Sequence, residues 1–262
     1  MFKLYFYIPS LFAKYTRYKG KKGMFAFFLK YFLLVFLASL VHYQNFDFIR
    51  LLLAILFMYS LYEFGYIQND AETIKKEVSP TMRLTNDDLC FYETHKYSIY
   101  IIRIVWVIGL SAILLRYNTP LWQLCYSLLI IPVFFFYNII RSKWNLHIHI
   151  LLMFLRISVP IFISSLYVDF ALSLWILFIY PLVVFVQLSV KGKFGYKNVF
   201  FINFIMPTYD KYNIHVFRVK YYITFTIIIC VLSIFDIISY WYLLPTIYYS
   251  LFTIVSAKKY LK

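Results

Sequence analysis

The sequence predicts an all-α polytopic membrane protein: a bundle of about eight transmembrane helices around a cytoplasm-facing cavity. Three observations predict it. Of 262 residues, 63% are hydrophobic and only 14% charged, where soluble domains carry about 25% charged residues. Apolar stretches recur at close to the ~20 residues that a helix needs to cross a hydrocarbon core of ~30 Å. Lysine and arginine fall in alternate connections, as the positive-inside rule requires.

In chain order, residues 1–23 hold Phe2, Leu4, Phe6, Ile8, Leu11 and Phe12, then a basic run from Lys14 to Lys22. Apolar side chains beside such a run predict a segment lying in the interface. Spans follow over 24–42, 47–66, 97–116, 120–140, 146–167, 169–190, 220–241 and 243–257, the last being short. The sign of the connections fixes their order. The second connection holds Lys75, Lys76, Arg83 and Lys96, and the fourth holds Arg141 and Lys143. The sixth holds Lys191, Lys193, Lys197, Lys211, Arg218 and Lys220, and the C-terminus Lys258, Lys259 and Lys262. The opposite turns hold little beyond Arg50 and Arg116. Most of the 26 basic residues are thereby placed on one face. The expectation is one membrane domain over 1–262, multi-pass in the inner (plasma) membrane, with both termini cytoplasmic. Its long loops, 67–96 and 191–219, both face the cytoplasm.

Composition excludes several classes. Cys90, Cys125 and Cys230 form no CxxC pair, so neither a disulfide framework nor a zinc site is expected. A net charge of +15 in so apolar a chain points to membrane lipids, with basic loops held at an anionic leaflet, and not to nucleic acid. Pro9 and the following basic run break the pattern of a cleavable signal peptide, and none is expected. No Gly-rich phosphate loop or Ser-His-Asp arrangement is visible.

The chain has eleven acidic residues, and six of them, Asp70, Glu72, Glu77, Asp87, Asp88 and Glu93, crowd the connection after the second span. If that span continues as a helix past Tyr66, then Asn69, Thr73 and Glu77 share one face, with Asp70 beside them. Carboxylate and amide oxygens just outside the membrane suit Mg²⁺, which keeps waters and binds substrate phosphates. A charged, solvated loop face is the plain alternative.

The run Asn69-Asp70-Ala-Glu72-Thr73-Ile-Lys-Lys-Glu77, followed by Pro80 and Arg83, resembles the Asp-rich motif that the UbiA superfamily of intramembrane prenyltransferases carries after its second span. Thr73 and Glu77 stand where the family has its second and third aspartates. Tyr137 with Arg141 and Lys143 is similar to the family's pattern at the end of the fourth span. Only Asp210 and Lys211 stand in the connection where the family keeps a second acidic motif. The resemblance implies nine spans where the sequence shows eight. It implies transfer of a prenyl group from a polyprenyl diphosphate to an unidentified acceptor. It implies Mg²⁺ on Asn69, Asp70, Glu72 and Glu77, and catalytic roles for Asp70 and Asp210. Arg83, Arg141, Lys143, Lys211 and Arg218 would neutralise the departing diphosphate. The same resemblance leaves open phosphoribosyl transfer to a polyprenyl phosphate.

Lys30, Arg103 and Arg156 fall inside predicted spans. An ionisable group there costs roughly 2.5–3.5 kcal/mol, so it faces a cavity or a partner, or its stem reaches the headgroups. Arg103 and Arg156 are expected in the basic wall of a diphosphate site. Pro132, Pro160 and Pro181 interrupt successive spans and are able to bend helices around a cavity. Two further readings fit these residues: a small transporter or flippase without chemistry, and a prenyltransferase-like scaffold that has lost catalysis.

Overall fold

A computed structural model describes residues 3–76, 81–140, 142–196 and 204–258. Every regular element among them is helical. Helix α1 is Leu11–Thr16. Helix α2 is Gly20–Asn45, with a π-helical turn over Phe28–Phe32. Then come α3 (Phe48–Ala71), α4 (Asn86–Arg116), α5 (Leu121–Ile139), α6 (Trp144–Ser165), α7 (Phe170–Val190), α8 (Lys211–Ile234) and α9 (Leu243–Ala257). Helices α2 to α8 are each long and apolar enough to cross a membrane, seven among the described residues. Helix α9 has only 15 residues and packs mainly on α8.

Short connections force neighbouring helices to run antiparallel. Helices α3 and α6 form the centre, and α3 also packs on α4 and α5. Helix α4 lies outside, where Ile101, Val105 and Ile108 are all more than half exposed. Such an apolar outer face suits lipid and would be a liability in water.

Three local features set the geometry. Helix α4 begins at Asn86, eleven residues before the apolar run that marks it in the sequence. Thr85 accepts from the Asp88 amide (3.2 Å) and Asp88 returns the bond to the Thr85 amide (2.9 Å), a capping box. Much of the expected loop 67–96 is therefore helix, and the same holds for 211–219 at the start of α8. Gly65 lets the Phe134 ring of α5 lie against α3; a Cβ there would stand 2.0 Å from the ring. Asn138 then donates to the Gly65 carbonyl (3.2 Å) and to Gln68 Oε1 (2.9 Å). Pro160 lies inside α6 and has no N–H, which leaves the Arg156 carbonyl without its helical donor. The Tyr31 hydroxyl of α2 fills that place at 3.0 Å.

The N-terminal segment differs from the expectation of an interfacial strip. It folds back into the bundle, with Phe6 and Phe12 fully buried against Ile67, Tyr92 and Ile99. The reason is an ion pair. Glu63 of α3 and Arg103 of α4 are fully buried and bonded to each other. Glu63 also accepts from the Ser10 and Ala13 amides (3.0 and 2.6 Å). Arg103 donates to the carbonyls of Phe6 (2.8 Å), Tyr5 (3.1 Å) and Ile8 (3.4 Å). A buried ion pair needs its remaining polar positions filled, and the folded-back backbone fills them. Asp88 fixes the outer edge through Lys3, Tyr5 (2.5 Å) and Tyr15 (3.0 Å).

Candidate functional site

The site grows from Arg156, near the middle of α6. Its Nη2 donates to the hydroxyls of Tyr18 and Tyr59, the latter at 2.7 Å. Its guanidinium carbon lies 4.7 Å from the Tyr31 ring centre and 5.6 Å from those of Tyr59 and Tyr62, a cation–π cage. No carboxylate among the described residues lies within ion-pair distance of it. Its buried Nε has no hydrogen-bond partner. Neutral phenols share the charge without cancelling it.

This cation opens onto a cavity of about 270 Å³. Arg17, Lys30 and Arg156 give it three basic groups; Tyr18, Phe27, Tyr31 and Tyr180 give it aromatic walls. Tyr180 reaches it because α7 breaks there, at φ −143° just before Pro181. Arg218 lies close enough to Lys30 for the two charges to repel. It is half-buried and donates to Gln187 Oε1 at 2.7 Å. Past the helix ends, burial and then the neighbouring charges of Lys191 and Arg83 push the Lys193 ammonium below its usual basicity. Arg17, Lys30 and Arg156, with Arg218 near Lys30, thus make the cavity positive, as an anion site requires.

Arg17 joins the cavity to the Asn69-Asp70 motif. It meets the buried Asp70 carboxylate with both nitrogens, Nη1 to Oδ2 at 2.5 Å and Nη2 to Oδ1 at 3.0 Å. Asp70 Oδ1 also accepts from Arg83 (3.1 Å) and from Asn69 Nδ2 (3.1 Å). Burial is the largest single influence on the Arg17 guanidinium and lowers its basicity, but the bond to Asp70 and the charge of Asp70, with Tyr66 and Tyr18, together raise it above its usual value.

Asp70 and Glu72, two of the four expected magnesium ligands, are engaged by basic side chains. A carboxylate offers about four lone-pair positions, and those of Asp70 already face two guanidinium groups and an amide. Glu72 points to α4, where Lys96 (2.5 Å), Tyr92 (3.0 Å) and Lys75 (3.4 Å) donate to it. Glu77 and Arg141 lie outside the described residues. Among the described residues no three acidic, cysteine or histidine side chains converge. The donors as they stand do not fit Mg²⁺, since a dication at Asp70 would meet Arg17 and Arg83 first.

The remaining expected residues divide clearly. Arg156 lines the cavity. Arg83 reaches it only through Asp70. Arg103 is corrected: its guanidinium is fully buried on Glu63 and three carbonyls, and it does not line the cavity. Asp210 is exposed and caps α8, accepting from the Asn213 amide (2.9 Å) and from Thr208 (2.5 Å). Those bonds, that of Thr208 first, hold its carboxyl below the usual range. Lys143 and Lys211 are exposed at helix starts. Arg17, Tyr18, Tyr31 and Tyr180 were not expected at the site. Two signals for the site stand in the sequence: Tyr59, Tyr62 and Tyr66 recur at helical spacing, and Arg156 precedes Pro160 by one turn. Comparisons with protein-family models, curated proteins and solved structures find no match to this chain.

Proposed function

We propose that the chain is an intramembrane transferase that moves a prenyl group from a polyprenyl diphosphate to an acceptor, holding the diphosphate in the Arg17–Lys30–Arg156 cavity. The observation that carries this reading is Arg156, a cation in a span with a buried, unpartnered Nε and no carboxylate among the described residues. An anion supplied from outside completes it. The cavity lies among apolar helices, so the anion that suits it is the head of a lipid. In this reading α9 is an eighth crossing, both termini and the basic ends of the helices face the cytoplasm, and the membrane is the plasma membrane.

The chemistry follows from the side chains. The C–O bond between prenyl carbon and diphosphate breaks, and both electrons leave with the diphosphate. Arg17, Lys30 and Arg156 stabilise the charge that gathers there, which is where fixed cations contribute most. The faces of Tyr18 and Tyr31 stabilise the allylic cation left behind. The acceptor's nucleophile closes the new bond and gives up its proton.

A second reading follows from the cavity lining: among the described residues, no aspartate, glutamate or histidine lines it. A transferase then draws its base from the acceptor or from water. A transporter or flippase for phosphorylated lipids needs none. The test uses protein in neutral-lipid nanodiscs with geranylgeranyl diphosphate and a panel of lipid-soluble phenol and quinol acceptors. Acceptor-dependent release of diphosphate, lost in Arg156→Gln, is the expected result. Tight binding without release under every acceptor favours the passage reading.

A further inference from the structure

Arg17 serves two anions at once in this fold, one present and one invited. Its guanidinium forks onto Asp70 in the bidentate geometry that arginine also offers to phosphate. The same side chain lines the cavity of Arg156. We propose that Asp70 is an internal competitor for the anion: it holds Arg17 off Arg156 until a phosphate group draws Arg17 into the cavity. This rests on the reading of the cavity as a phosphate site.

Four features support the exchange. Arg17 and Arg156 line the same cavity, where like charges are costly without an anion between them, and the Asp70 carboxylate is where Arg17 rests. Asp70 does not become stranded when Arg17 leaves, because Arg83 and Asn69 still donate to it. A buried carboxylate stripped of all donors would be far costlier. The Arg17 guanidinium lies 4.2 Å from the Tyr66 ring centre, an aromatic surface beside its place on Asp70. Finally, Arg17 is the C-cap of α1, three residues before the turn at Gly20 (φ +67°), so its movement need not break a helix. The Glu63–Arg103 pair shows the contrast. It too is a buried arginine–carboxylate pair, yet two backbone amides and three backbone carbonyls bond to it and it does not line the Arg156 cavity.

The experiment measures binding of geranylgeranyl diphosphate and inorganic diphosphate to the full chain in neutral nanodiscs, with EDTA present. Asp70→Asn is expected to bind about tenfold tighter than wild type, the scale of one charged hydrogen bond no longer in competition. The gain should vanish in the Asp70→Asn/Arg17→Gln double variant, since it acts through Arg17. Weaker binding by Asp70→Asn, or a wild type that binds only with Mg²⁺ added, overturns the inference and returns Asp70 to the metal-ligand role. A gain that persists without Arg17 also overturns it. If Asp70→Asn does not fold, wild-type hydrogen exchange decides. Faster exchange of the amides around Arg17 with diphosphate bound supports the exchange; unchanged or slower exchange overturns it. Failure of every variant to bind either probe fails the phosphate-site reading itself, a result distinct from binding without the Asp70 effect.

Discussion

Three arginines, Arg50 at a helix end and Arg103 and Arg156 inside spans, differ in what surrounds them. Arg50 is buried and donates to the carbonyls of Asn45 (2.5 Å) and Ser164 (2.8 Å) at one helix end. Arg103 has a carboxylate partner and three backbone carbonyls. Arg156 has phenols and an opening. Removing one member of the Glu63–Arg103 pair leaves a buried charge alone and should cost about 3–5 kcal/mol. Glu63→Gln and Arg103→Met should therefore each lower the melting temperature in nanodiscs sharply. The double variant should recover much of the loss, because no lone charge remains. Equal or larger loss in the double variant would show that the pair matters only by packing. The sequence marked Arg103 and Arg156 alike as costly cations for the wall of a diphosphate site; Arg156 lines the cavity, and Arg103 is held by Glu63 and backbone carbonyls instead. Which one meets a partner depends on Glu63, forty residues from Arg103 in the chain, and on the backbone of a segment that reads as interfacial.

At the scale of elements, boundaries at the membrane were less legible than the apolar runs themselves. Helix α4 starts at a capping box, Thr85 to Asp88, which is visible in the sequence as Thr-Asn-Asp-Asp ahead of a helical run. The hydropathy of the span hides it, since the first turns of the helix are polar. Contacts between helices rest on small details. Gly65→Ala should push Phe134 off α3 and cost about 1–3 kcal/mol, the usual range for overpacking. A melting temperature equal to wild type would mean that the α3–α5 contact yields freely. Tyr31→Phe removes the donor to the Arg156 carbonyl beside Pro160 and should cost about 1 kcal/mol of stability. It keeps the ring over the guanidinium, so loss of anion binding much beyond that of wild type would argue that the hydroxyl itself touches the ligand.

Among the described residues the molecule is an all-helical bundle with seven helices of spanning length; composition and the recurring apolar runs predicted that class, with an eighth span over 243–257 that is a helix of only 15 residues. Its proposed sidedness follows from charge alone. Single cysteines at Met82 and Lys211 should react with a membrane-impermeant thiol reagent only from the cytoplasmic face, and those at Asn118 and Ile237 only from the other. Cys90 and Cys125, which are exposed, and Cys230 are replaced first. Labelling of all four from one side would contradict an antiparallel bundle of this order. The candidate site was partly legible. The Asn69-Asp70 motif and Arg156 were marked from sequence, and the fold connects them through Arg17. The tyrosine cage was not expected because its members come from α2, α3 and the turn before α2, which only packing brings together.

The central claim is that Arg156 holds a lipid-borne phosphate group, and direct binding tests it most simply. Geranylgeranyl diphosphate would be titrated into wild type and Arg156→Gln in neutral nanodiscs, with the uncharged alcohol geranylgeraniol as control. The account predicts saturable binding by wild type, a loss of about 2 kcal/mol or more in the variant, and little binding of the alcohol by either. Equal binding of the diphosphate by both proteins, with the variant still folded, would contradict it.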